Sequence, residues 1–395
     1  MAASGLTARQ VSASAPYPGT VSLQPAVAAA VHSADPEARL VTLCVRESDA
    51  VAPGEIAAAA RRVQDWGKAV SMAVRHRVAA YVLEAVSREG VMLPYDALQM
   101  LQVATLSTVI GCARINQEVA REVSSLHASG IPAMVLKGPA LVRTIYPRPA
   151  LRPYGDLDLA VQDRHQAAAE RVLLADGYTE IDYDAEVRRQ HAGHVHHGAA
   201  FHRQFTSSDG QVMVELHIDP LQLGLRPTCE ADRWRRAVPV PGLAGGVMLC
   251  PEDQLVHLSA HVHKHGFDRL IWLKDLDMLL RTHGASIDWS LVEQTATREG
   301  VRGSVWYGLY LAARLLGALV PPAQLLRLRP SLPVRQLYRW VWPVERIAAL
   351  NGFMRRRSVQ FHVADSWRGM LPSLVLMGRR ADRVRATAQA VVWRW

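Results

Sequence analysis

The chain has 395 residues, 49% of them hydrophobic and 21% charged, which supplies a large core and excludes disorder along its whole length. Its formal net charge of +9 is unevenly placed: from Leu325 to the end, fourteen arginines and no lysine face three acidic residues. Such an end suits a solvated helical surface better than a nucleic-acid interface, though nucleic acid is admitted as a partner. The four cysteines, Cys44, Cys112, Cys229 and Cys250, lie far apart with no CxxC pair, which suits buried thiols in a reducing compartment, the cytoplasm, better than a disulfide framework or a zinc ribbon.

In chain order, residues 1–40 are rich in Ala, Ser, Pro and Val without a sustained period and read as a flexible tail. They lack a basic segment followed by an apolar one, so no secretory signal is expected. Residues 41–127 are predicted to be helical. Trp66, Ala69, Val70, Ala73 and Val74 fall at helical spacing, as do Val78, Tyr81, Val82 and Ala85. A long helix is expected from Tyr95 to His127, its apolar side carrying Leu98, Leu101, Ala104, Leu106 and Val109, then Ile115, Val119, Val123 and Leu126.

At Gly130 the period changes. Ile131 to Leu136 is a short apolar run between glycines and reads as a buried strand, followed by a short helix with Pro139 in its first turn. Asp156-Leu157-Asp158-Leu159-Ala160-Val161 alternates acid and apolar residues, as a strand with one wet face does, and a helix from Arg164 stops at Gly177. Gln211 to Ile218 reads as another strand. These segments make a core over 128–225, and helices resume over 250–395. No uncharged run reaches the roughly 18 residues of a membrane span. The fold class expected is α+β: a small mixed sheet flanked by N-terminal and C-terminal helical regions.

Side chains i and i+2 of a strand share a face, so Asp156 and Asp158 project together while Leu157 and Leu159 face the core. Glu215 falls on the same face of its strand as Met213 and His217. If the two strands are neighbours, three carboxylates converge, and Mg²⁺ offsets their repulsion while carrying substrate phosphates. A lone DxD is a weak signal, but here a strand ends at Leu136-Lys137-Gly138 shortly before it. Gly138 allows close backbone approach at a helix N-terminus, where an anion is favoured. Lys137, and Arg152 on the loop entering the DxD strand, are the cations for an NTP's phosphates.

The run Gly130-Ile131-Pro132, Val135-Leu136-Lys137-Gly138-Pro139-Ala140-Leu141, Tyr146, Arg152 and Asp156-Leu157-Asp158 resembles the bacterial uncharacterised nucleotidyltransferase family, within the DNA polymerase beta-like superfamily. Val214-Glu215-Leu216-His217 and the stretch His261 to Leu276 are similar to its later segments. The resemblance covers roughly residues 50–300 and implies transfer of a nucleoside monophosphate from an NTP, ATP first, to an acceptor it does not name. It implies Asp156, Asp158 and Glu215 as Mg²⁺ ligands, with Lys137 and Gly138 at the superfamily's glycine turn, where this chain departs by reading Lys-Gly-Pro. A catalytically silent binding module and an aminoglycoside-type resistance transferase are the alternatives.

Other patterns carry less. His191, His194, His196, His197 and His202 crowd one segment without zinc-ligand spacing and read as a polar loop. Asp253, His257, His261 and His265 recur every four residues on one helical face, which reads as structural or substrate-facing because HExxH is absent. Asp275, beside Trp272 and Leu273, reads as a satisfied core carboxylate. GxxxxGK[ST] and GxSxG are absent, which disfavours P-loop and hydrolase chemistry.

Overall fold

The computed structural model describes residues 34–181, 202–219 and 230–350. The stretch 1–33, the histidines from His191 to His197 and the Arg-rich end beyond 350 lie outside them. The first helix among the described residues, α1 (Pro36–Val45), begins inside the stretch expected to be a tail. Asp35 caps it by accepting from the Glu37 and Ala38 N–H groups, Pro36 opens it, and Leu40, Val41 and Leu43 are fully buried. Helices α2 (Glu55–Ala60), α3 (Trp66–Arg75) and α4 (Ala79–Arg88) pack around it, Ala69, Val70, Ala73, Val82 and Ala85 facing inward.

Helix α5 (Tyr95–Ala128) then runs 34 residues. Its second half buries Ile115, Val119, Val123 and Leu126. In its first half Ala97 and Leu101 are buried, but Leu106 and Val109, expected inward, are exposed together with Val103 and Ile110. Helix α4 packs on this first half, and among the described residues nothing covers its exposed apolar side. By length and composition α5 could cross a membrane, but its second half is packed against the sheet.

The sheet comprises β1 (Ala133–Val135), β2 (Leu157–Ala160), β3 (Thr179–Ile181), β4 (His202–Thr206), β5 (Met213–His217), β6 (Val238–Pro239) and β7 (Gly246–Met248). Their order across it is β3-β4-β5-β2-β1-β7-β6, with β1·β7 and β2·β5 parallel and the other pairs antiparallel. Helices α6 (Lys137–Thr144), α7 (Gln166–Ala175) and α8 (Glu230–Arg236) connect strands. Because β7 lies beside β1, the sheet extends past the expected limit at residue 225.

Alternation divides the sheet into two faces. Ala133, Val135, Leu157, Leu159, Val214 and Leu216 join the second half of α5 and α7 in one apolar cluster. Met134, Leu136 and Ala160 join a second, larger cluster that holds the N-terminal helices and the C-terminal ones. The latter include α9 (Pro251–Lys264), α10 (Leu270–His283), α11 (Trp289–Arg298) and α12 (Arg302–Leu311). The chain is thus a mixed α and β protein with helices on both sides of one sheet.

Candidate active site

Strands β2 and β5 run parallel in a register that sets Asp158 directly across from Glu215 and Ala160 across from His217. Since Leu157, Leu159, Val214 and Leu216 occupy one face, Asp158, Glu215 and His217 share the other. One ligand atom from each of these three lies within 4.8 Å of the others. His217 Nε2 stands 3.0 Å from Asp158 Oδ1 and 3.5 Å from Glu215 Oε2, so the Nε2–H donates to the carboxylates. From β4, the Gln204 side-chain amide donates to Glu215 Oε1 at 3.0 Å. Lys137 donates from Nζ to Asp158 Oδ1 at 2.9 Å.

At the Lys137-Gly138 turn the backbone strain falls on the lysine. Lys137, not the glycine, takes the left-handed conformation, with φ +48°, a strained state that directs its side chain across to β2. Gly138 is needed for a packing reason: a Cβ there would stand 2.6 Å from Cβ and Cγ of Tyr154. Asp156 occupies the bend just before β2, half-buried, and feels the charges of Asp158, Lys137, Glu215 and Arg77. Arg152, expected to face phosphate, is instead buried and forks onto Asp275, Nε to Oδ1 at 2.6 Å and Nη2 to Oδ2 at 2.7 Å. Tyr146 adds a 2.6 Å hydrogen bond to the same carboxylate. Desolvation drives the change: a buried guanidinium keeps its charge only beside a buried carboxylate, and α10 supplies one.

The carboxylates titrate apart. Burial would raise Asp158, but the Lys137 ammonium and the His217 ring outweigh it and hold the carboxyl well below its ordinary value. Burial, with repulsion from Asp158 and Glu215, pushes Asp156 up despite Lys137 and Arg77. Glu215 is lowered: the His217 hydrogen bond overcomes both burial and the Asp158 charge. His217 is raised in turn, its two carboxylate partners outweighing burial. The donor set of hard carboxylate oxygens fits Mg²⁺. His217 fits better as the donor that orients Asp158 and Glu215 than as a ligand for so hard an ion.

Residues 62–317, more than half of the chain, match the model of a family described as uncharacterised nucleotidyltransferase. The chain belongs to that nucleotidyltransferase family. Its general activity is therefore nucleotidyl transfer, and the matched span contains every residue of the carboxylate cluster. No curated protein matches this nucleotidyltransferase.

The His-bearing helix α9 packs next to the cluster. Asp253 is fully buried and held by Arg236 from α8 at 2.9–3.1 Å. His257 is buried and, by burial and the nearby Lys137 charge, pushed down to about 3, so its ring is neutral. His261 lies edge-on to Trp272, with ring centroids 5.1 Å apart, and is depressed for the same reasons. Neutral imidazoles, alternating with core packing, set this face beside the carboxylate cluster. His217 was the assignable residue that the acidic pattern passed over, since it sits two positions beyond Glu215 on the same strand face. Gln204 gave no such signal, because β4 is too polar to announce itself.

Proposed function

We propose that the protein transfers a nucleoside monophosphate from a magnesium-bound NTP, ATP first among them, to an acceptor hydroxyl. The single observation that carries this reading is the convergence of Asp158 and Glu215 on adjacent parallel strands, with Lys137 bonded to Asp158 and the Asp156 carboxylate close enough to feel both acids. Asp156, Asp158 and Glu215 are the residues to hold the metal. Bound Mg²⁺, as one ion or two, supplies charge neutralisation along the phosphate chain and at the attacking oxygen.

The chain's own groups do the positioning. His217 and Gln204 fix the Glu215 carboxylate from two sides, and His217 with Lys137 fixes Asp158. Preorganised carboxylates of this kind keep their geometry through the reaction, which is where such sites gain their rate. An acceptor hydroxyl beside Glu215 passes its proton to that carboxylate as its oxygen attacks the α-phosphorus in line; the bond from the α-phosphorus to the α–β bridging oxygen breaks, and pyrophosphate leaves with the electron pair. Free buried thiols at Cys44, Cys112 and Cys250 support a cytoplasmic setting, where NTP and Mg²⁺ are at hand. The intact acidic cluster favours catalysis over a silent binding module.

Calorimetric titration with ATP, with and without Mg²⁺, tests the reading. Wild-type protein is expected to bind ATP only with Mg²⁺, and Asp158→Asn or Glu215→Gln to lose most of that binding while keeping the fold. Equal binding with and without the metal would defeat it.

A further inference from the structure

Arg77 follows α3 at the point where the chain reverses. The Val78 N–H bonds the Ala73 carbonyl at 2.8 Å and the Arg77 N–H the Val74 carbonyl at 3.0 Å. Between them Arg77 has φ +57°. Helices that end this way place glycine at the left-handed position, because any Cβ there is strained. A long cationic side chain is therefore kept where the backbone favours none at all. The dipole of α3 welcomes a cation at this end, but Arg75 in its last turn already supplies one.

The side chain reaches the carboxylate site. A Cβ added to Gly155 would stand 3.9 Å from Arg77 Nη2, so the guanidinium lies over the residue that precedes Asp156. Its neighbours in charge are Arg269, Arg152 and Asp156. Arg152 is consumed by Asp275, and Arg269 lies 5.0 Å from the Trp272 ring centre. Arg77 makes no side-chain hydrogen bond or ion pair among the described residues. Burial, and then repulsion from Arg269 and Arg152, bring it down to about 10 despite Asp156, so it stays cationic at neutral pH. A half-buried guanidinium without a carboxylate partner, beside a cluster suited to magnesium, is matched by an anion with several oxygens in one plane.

We propose that Arg77 forms a polyphosphate subsite that grips the phosphate chain of the nucleotide from the N-terminal helices. This rests on the nucleotidyltransferase reading above, and it adds a cation that neither the acidic motif nor the Lys137-Gly138 turn supplies. The fork of Nη1 and Nη2 takes two non-bridging oxygens, and the same contact persists on the pyrophosphate until it departs.

The test uses Arg77→Gly and Arg77→Lys in the full chain, with Mg²⁺ plus inorganic tripolyphosphate, Mg²⁺ plus ATP, and adenosine as titrants. Arg77→Gly is expected to melt at the same temperature as wild type or higher, since glycine relieves the left-handed backbone. Its Kd for tripolyphosphate and ATP should rise roughly tenfold or more, as for loss of a charge-assisted hydrogen bond, with adenosine unaffected. Arg77→Lys should fall between. Tripolyphosphate binding within about twofold of wild type, a large drop in melting temperature, or no tripolyphosphate binding by wild type overturns the subsite. Arg77-dependent tripolyphosphate binding without any release of pyrophosphate from ATP would instead sink the reaction and leave the subsite standing.

Discussion

The buried pair between Arg152 and Asp275 should hold the loop that enters β2, and its removal can be worked through. Both side chains are almost wholly buried, and the carboxylate accepts three short hydrogen bonds, two from Arg152 and one from Tyr146. Burial disfavours the guanidinium charge, but Asp275 outweighs it and makes Arg152 harder to deprotonate than in water. Asp275→Ala leaves that charge buried without a partner and orphans the Tyr146 hydroxyl. Such a lesion costs about 3–5 kcal/mol. Arg152→Met should cost somewhat less, since Asp275 can take up a proton. In Arg152→Met/Asp275→Leu both charges leave together, and apolar replacements of similar volume bring stability back to within about 2 kcal/mol of wild type. Urea unfolding of all four proteins, with a constant m value, yields the coupling energy directly. Losses below about 1 kcal/mol in the single variants, or strict additivity in the double one, would refute the pair as the loop's anchor.

Two further expectations concern packing and pH. Gly138→Ala forces a Cβ to within 2.6 Å of the Tyr154 side chain, an overpacking worth about 1–3 kcal/mol by urea unfolding; because Tyr154 lies two residues before Asp156, magnesium-dependent ATP affinity should fall with it, and an unchanged protein would contradict the close fit. His76 accepts from the Leu270 N–H through Nδ1 at 3.3 Å and faces the Leu350 carbonyl through Nε2 at 3.2 Å, so the neutral ring satisfies both. Burial brings it from 6.5 to about 4. Between those values the unfolded chain binds the proton and the folded one does not, so stability is present above pH 6.5 and falls as pH drops toward 4. The contribution is about 3 kcal/mol. It should appear as the difference between the pH–stability curves of wild type and His76→Gln, and parallel curves over that window would contradict it.

What the sequence discloses depends on whether the deciding interaction is local. The period of two in Asp156-Leu157-Asp158-Leu159 and in Val212 to Ile218 reflects one buried and one polar face, and both strands were legible. Strands β6 and β7, two and three residues long, are too short to show a period, and Thr179-Glu180-Ile181 is largely exposed, so β3 carries no buried face to mark it. Arg152 was read as a phosphate cation because its partner lies 123 positions away, although Asp275 itself read as a satisfied core acid. Gly138 stood out for the right lack of a Cβ, but the space is taken by Tyr154. The left-handed turn at Arg77 left no mark, since glycine is the residue that normally flags one.

The most direct measurement is the anomalous difference map of a crystal soaked with Mn²⁺ and a non-hydrolysable ATP analogue. Manganese peaks are expected within coordination distance of carboxylate oxygens of Asp156, Asp158 and Glu215, with the phosphate chain against them. Peaks held elsewhere, or nucleotide bound away from the Asp158–Glu215 strand pair, would contradict a metal-dependent transferase centre at this place.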